Sequence, residues 1–215
     1  MAAERLAKER ELVGMYLSAH PLDDYYMELT YGTMSVKEFA DEETVHIEGK
    51  EIQLGGLVVD FQTRQGKKGL WGILKMEDLS GSTELRLFGN TFAQFNSYCV
   101  PGQQILVTGK YQRRYSSEEL SFNITDISLL NNVKGRYIRG IRIKVNIDEV
   151  NDTLRTLLSE HAHSGSSDLG ELQMVVYSGG YNRTITLNSG LRIPVNRKLV
   201  NLLDQLDIDY TILKE

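Results

Sequence analysis

Basic and aromatic side chains come together in two short stretches of this 215-residue sequence. The first holds Arg64, Lys67, Lys68 and Trp71, set around Gly66 and Gly69; the second is Arg113, Arg114 and Tyr115. Cations that follow phosphates and rings that stack on bases are the combination by which a groove holds single-stranded nucleic acid. Each cluster also has a plainer reading. The first can be a solvated turn beside a core tryptophan, and the second a turn whose positive field is weakened by Glu118 and Glu119. Lys75, Arg86, Phe88 and Phe61 stand in the segments between, where strand parity decides which of them share a face with the clusters.

Other chemistry-bearing groups are weaker. His161 and His163 form a His-x-His pair with Asp168 nearby, but the Ser/Gly surroundings favour a solvated loop, and no metal site is expected. Asp23-Asp24 and Glu77-Asp78 are adjacent carboxylates. Neighbours on a strand point to opposite faces, whereas a two-metal site needs them to converge. Helix-start charge accounts for the first pair and turn chemistry for the second. The single cysteine, Cys99, excludes an intramolecular disulfide and reads as a small buried hydrophobe. The sequence has no Gly-x-Ser-x-Gly, no phosphate-binding glycine loop of the Gly-Lys-Ser/Thr kind and no His-Glu-x-x-His. No catalytic residue and no cofactor are therefore expected.

The elements that must position the two clusters lie between Lys50 and Leu130. Short apolar runs separated by Gly-rich or Ser-Gly turns mark strands from Lys50, from Ile73 and over Ser82–Phe88, the last with Leu85 and Leu87 alternating against Glu84, Arg86 and Phe88. Gly89–Ser97 fits a short helix with Phe92 and Phe95 on one side, and strands follow over Gln103–Arg114 and Leu120–Leu130. Three strands, a helix and two strands is the order of an OB-fold, a five-stranded Greek-key barrel that binds oligonucleotides or oligosaccharides. In that fold the loops after the first and fourth strands face the ligand. Arg64–Trp71 falls in the first of these loops, with the two lysines on a mobile tip, and Arg113–Tyr115 in the second.

The expected organisation is multidomain: a helical connector over 1–44, the all-β OB-fold barrel over 45–133, and a small α+β domain over 134–215. Ala2–Ser18 reads as a helix ended by His20-Pro21, and Ser35 with Glu38 makes a capping-box pattern. The connector carries four basic and ten acidic side chains and must pack on something, the barrel or a part beyond this chain. After Asn131–Tyr137, Ile141, Ile143, Val145 and Ile147 alternate with polar residues as a strand. A helix over Asp148–His161, strands over Glu171–Tyr177, Thr184–Leu187 and Leu191–Val195, a helix over Asn196–Leu206 and a strand over Ile208–Leu213 complete the domain. Net charge is −5 overall but balanced in the barrel segment, nine basic against nine acidic, so the chain is no polyelectrolyte binder of duplex DNA. No apolar run is long enough for a membrane span, and a cytoplasmic location is the default.

The stretch Glu9-Arg-Glu-Leu-Val-Gly-Met-Tyr-Leu-Ser-Ala-His-Pro-Leu closely resembles the segment before the OB domain in the alpha (polymerase) subunit of bacterial DNA polymerase III, with Ala19 for the usual Gly and Val13 for Leu. Gly55-Gly-Leu-Val-Val, Lys67-Lys-Gly and Leu74-Lys-Met-Glu-Asp-Leu-Ser-Gly-Ser-Thr-Glu extend the resemblance through the barrel. It implies that this chain is the C-terminal piece of a multidomain replicase, with the DNA-directed DNA polymerase (nucleotidyltransferase) site upstream and no metal here. It further implies an OB domain that contacts single-stranded template DNA and a C-terminal domain that binds the clamp-loader tau subunit. The remainder of the alpha subunit would be a third partner. The competing expectation is a pure protein-interaction module, whose barrel only packs on the polymerase.

Overall fold

The computed structural model describes residues 20–113, 120–162, 169–181 and 183–214. The helix expected over Ala2–Ser18, together with Arg114, Tyr115, His163 and Asp168, lies outside the described residues. The chain divides into two compact units, residues 1–134 and 135–215.

In the first unit five antiparallel strands pair in the order β3-β2-β1-β4-β5. They are β1 (Glu51–Gly66), β2 (Gly69–Glu77), β3 (Ser82–Phe88), β4 (Gln104–Arg113) and β5 (Leu120–Leu129). β1 serves two partners: its first half pairs with β4 and its second half with β2. One cluster of buried residues draws on all five strands, with Leu54, Leu74, Leu87, Val107 and Ile127 among them, so the sheet is curled around its own core. The short helix Gly89–Phe95 supplies Phe95 to that core. This is the OB order, and the fold class expected from the sequence holds for this unit.

Alternation is clearest on β3, where Leu85 and Leu87 are buried while Glu84, Arg86 and Phe88 are exposed. β1 is less regular. Its pairing with β2 slips between Val58 and Asp60, a bulge that reverses which side chains point inward. Before the bulge Ile52, Leu54 and Val58 face the core; after it Phe61 does, stacked against Phe92 with ring centroids 6.3 Å apart. Phe61 therefore does not belong to the outer face on which it stood as a candidate.

The connector packs on the barrel. Leu22, Met27, Leu29, Val36 and Phe39 are buried, and a Cβ at Gly55 would lie 2.5 Å from the Leu29 side chain. Helix α1 (Val36–Ala40) is capped by Ser35, whose Oγ accepts the Glu38 N–H, as the sequence pattern implied. A second anchor comes from the β2–β3 turn. Asp78 Oδ2 accepts the Val36 N–H at 2.8 Å, while its Oδ1 accepts from the Ser80 N–H, the Ser80 hydroxyl and the Gly81 N–H. The Glu77-Asp78 pair is thus turn and cap chemistry. Helix α2 (Gly89–Phe95) follows β3, and Cys99 lies just beyond it, 3% exposed.

The second unit is a four-stranded sheet in the order β8-β7-β6-β9. β6 (Ile138–Asn146) and β7 (Leu169–Ser178) are parallel, joined through α3 (Asp152–Ala162). β8 (Arg183–Pro194) returns as a hairpin, α4 (Arg197–Gln205) follows, and β9 (Asp209–Lys214) pairs antiparallel with β6. Ile141, Ile143 and Val145 alternate into the core, and Leu154, Leu158, Leu199, Val200 and Leu203 are the buried positions of the helices. Two expectations change. Thr184–Leu187 and Leu191–Val195 are not separate strands but parts of β8, which tolerates a register shift opposite Glu171–Gln173. The helix expected from Asp148 begins at Asp152, because Asn146 and Glu149 form a capping box around a short 3-10 turn first.

Two outcomes follow. Asp78→Ala removes a charged acceptor of several backbone groups, so a urea midpoint corresponding to a loss of about 2 kcal/mol is expected; an unchanged midpoint would contradict the anchoring role. Burial pushes the Cys99 thiol from an ordinary value of 9.0 up to about 11. The folded protein favours the protonated thiol, so this contribution to stability is complete below pH 9 and is lost as pH rises through about 11. At pH 8 a thiol reagent should react on the order of a hundredfold more slowly with folded than with urea-unfolded protein.

Candidate nucleic-acid interface

The register of β1, β2 and β3 sets the outer face of the barrel in rows. Arg64 lies opposite Trp71, and Trp71 opposite Phe88; one row down are Gln62, Ile73 and Arg86; below these are Asp60, Lys75 and Glu84. Inward-facing residues occupy the rows between, such as Leu74 with Leu85. The bulge at Val58/Asp60 is what turns Arg64 and Gln62 outward, since without it the even-numbered side chains of β1 would continue into the core.

Arg64–Trp71 is not the loop that the sequence pattern suggested. Arg64 and Trp71 are paired strand residues, and the ladder continues to Gly66 and Gly69. Only Lys67 and Lys68 form the turn, a two-residue connection at the tip of the ladder. Gly69 makes the return possible at φ +116°, a conformation open to glycine. The two ammonium groups are thereby held at the end of a continuous hairpin, next to the rings.

Trp71 and Phe88 stack with centroids 5.3 Å apart and planes 24° from parallel. Gly66 leaves room for the indole: a Cβ there would stand 3.2 Å from Trp71 Cδ1. Trp71 is half-buried, whereas Phe88 is 47% exposed and Leu70 51%. The rings stabilise the sheet as a cross-strand pair and at the same time form an apolar platform open to solvent. Arg64 is oriented along β1 by a relay in which its guanidinium donates to Gln62 Oε1 at 2.7 Å and Gln62 Nε2 donates to Asp60 Oδ2 at 2.8 Å.

An open pocket of about 590 Å³ lies over this platform, lined by Lys67, Lys68, Trp71 and Phe88 and closed on one side by Asn123 of β5. Asn123 had no signal in the sequence, being a polar residue on an exposed strand; only the curl of the barrel brings β5 to the β1–β2 hairpin. Its amide donates to Gln112 Oε1 at 3.1 Å.

The second cluster fares differently. Arg113 ends β4 and its guanidinium meets Glu48 at 3.2 Å, with its backbone N–H directed at the same carboxylate. Lys110 nearby faces Glu51 at 3.7 Å. Tyr111, which pairs with Phe122 across the strands at this end, is covered by His46, ring on ring at 3.9 Å, and burial raises its phenol above the ordinary value. Among the described residues the cation-and-ring arrangement is therefore concentrated at the β1–β2 hairpin.

In the second unit, His161 belongs to α3 rather than to a loop, and its Nε2 lies 2.9 Å from the Pro194 carbonyl oxygen. No group of three or more metal-ligating side chains occurs among the described residues. No helix among them is long and apolar enough to cross a membrane.

Residues 52–130 match the family of OB-fold nucleic acid binding domains. Across a longer span the chain is similar to proteins named DNA polymerase III subunit alpha. That of Halalkalibacterium halodurans is 27% identical over 213 residues, 94% of this chain, and that of Escherichia coli K12 is 26% identical over 211 residues, again 94%. The Haemophilus influenzae protein is 29% identical over 144 residues, 66% of the chain. The chain spans 12–18% of the length of these relatives. The sequence, the five-stranded barrel and these similarities agree: the chain is similar over nearly its whole length to the OB-containing C-terminal region of bacterial DNA polymerase III alpha subunits, and its five-stranded barrel coincides with the residues that match the OB-fold nucleic acid binding family.

Proposed function

We propose that this chain is a non-catalytic C-terminal part of a bacterial replicative DNA polymerase, in which the OB barrel holds single-stranded template DNA. The observation that carries the reading is the row Arg64–Trp71–Phe88, capped by Lys67 and Lys68. It puts stacking surface and phosphate-binding charge at one open place on the barrel. Arg86 adds a cation one row down, whereas Lys75, a row further, is flanked by the carboxylates of Asp60 and Glu84. Arg113 contributes through a guanidinium already shared with Glu48, with Arg114 and Tyr115 following it in sequence. Affinity of the isolated chain is modest on this reading, because few cations act and the chain is acidic overall. Attachment to a polymerase that already holds the template would supply the effective concentration that weak binding needs.

The second unit is proposed to dock a protein, the clamp-loader tau subunit. Supporting this, two cationic residues of its central strand are engaged within the sheet: Arg142 donates twice to Gln173 Oε1, and Lys144 lies 3.8 Å from Asp209 and 5.3 Å from the Tyr177 ring centroid. Ile185 and Leu187 on β8 are meanwhile 61% and 48% exposed.

Trp71 is the single tryptophan, so its fluorescence reports on the platform alone. Titration with oligo-dT at low salt should quench it. Trp71→Ala, followed by anisotropy of labelled oligo-dT, should weaken binding by about 2 kcal/mol, the effect of one lost stacked base. Lys67→Ala with Lys68→Ala should flatten the salt dependence by about 1.4 in log–log slope. Unchanged binding after replacing Arg64, Lys67, Lys68, Arg113 and Arg114 together would remove the site assignment. No binding at all at low salt would favour a barrel that serves only to pack on the polymerase. For the second unit, tau should retain the full chain but not a chain ending at Lys134.

A further inference from the structure

We infer that the nucleic-acid face is open only at its hairpin end, and that Asp60 and Glu84 bar the bound strand from the lower sheet, confining it to about four nucleotides. The inference rests on the reading of the barrel as a single-strand binder.

The face changes sign down its length. At the hairpin end Arg64, Lys67 and Lys68 stand without a carboxylate in their row. The next row carries Arg86 with neutral Gln62 and Ile73. The third row is Asp60, Lys75 and Glu84, in which one ammonium lies directly between two carboxylates on the neighbouring strands. Successive outward rows on a strand are about 7 Å apart, close to the spacing of phosphates along an extended single strand, so each further nucleotide down the sheet would meet the next row. A phosphate reaching the third row gains one cation and meets two anions.

The anions are also placed to persist. Asp60 is fixed by the Phe61 N–H at 2.9 Å and by Gln62 Nε2 at 2.8 Å, so it does not swing aside as a long flexible acid would. Glu84 is exposed on β3, directly across from Lys75. A strand that obeys these charges crosses the sheet rather than descending it. It passes over Trp71 and Phe88, between the hairpin lysines and Arg86, and toward Asn123, which closes the far side of the pocket. The width of three strands, about 10 Å, and the pocket beyond it fit a site at the lower end of what one OB barrel covers.

The test uses the full chain and 5′-labelled oligo-dT of about 4, 8, 12 and 16 nucleotides, read by anisotropy at several salt concentrations. Affinity should rise beyond the shortest oligonucleotide only by the number of equivalent registers, and the salt slope should not change with length. Glu84→Lys should strengthen binding of the longer oligonucleotides on the order of tenfold and steepen their salt slope, while leaving the shortest unchanged. Asp60→Asn should act in the same direction; Glu84→Lys, on an exposed strand position, keeps the test valid if Asp60→Asn unfolds the barrel. A wild-type salt slope that grows steadily with length, or Glu84→Lys without effect on long oligonucleotides, overturns the inference while the single-strand reading stands. Absence of binding at every length overturns that reading, and the inference with it.

Discussion

One bulge in β1 governs the outer surface of the barrel. Between Val58 and Asp60 the strand gains a residue against β2, and the side-chain alternation reverses. Upstream of it the even-numbered residues Ile52, Leu54 and Val58 fill the core; downstream the even-numbered residues Asp60, Gln62 and Arg64 face outward. A continuous alternation would drive two charged side chains into an apolar interior, at a desolvation cost no nearby partner offsets. The same strand also has to serve two neighbours, β4 and β2, and the extra twist of the bulge is where it turns from one to the other.

The two halves of β1 are consequently used differently. The outer side of the first half is covered by the connector, with Leu29 against Gly55, and Asp78 ties α1 to the β2–β3 turn. Along the outer side of the second half Gln62 and Arg64 are exposed, and there the cross-strand row of Arg64, Trp71 and Phe88 forms. In those rings a structural role coincides with the proposed binding role. Their mutual stacking stabilises the hairpin, and the face of Phe88 that remains exposed is the surface a base can cover. At the β4–β5 end the connector engages the available groups instead, Glu48 with Arg113 and His46 with Tyr111.

The second unit shows the opposite balance. Sheet neighbours pair several of its charges, as with Arg139 and Glu171 at 3.4 Å, while β8 exposes Ile185, Leu187 and Leu191 beside Arg183 and Arg192.

Much of this architecture is written in local patterns. Period-two alternation at Leu85–Phe88 and at Ile141–Val145, the Ser35 cap and the strand–helix–strand order up to Leu129 were legible because each is set by neighbours within a few residues. The residue types of the proposed binding row were legible too, since basic and aromatic side chains stand out in any sequence. What the tertiary structure alone decided were the faces and the partners. Phe61 turns inward because a bulge shifts the register; Trp71 is a strand residue because the ladder runs on to Gly66 and Gly69. Arg113 meets Glu48 across 65 positions of sequence, and Asn123 meets the hairpin because the sheet curls. Periodicity is a property of one segment, whereas register, parity and ion pairing belong to two segments at once. They are therefore fixed only when the strands come together.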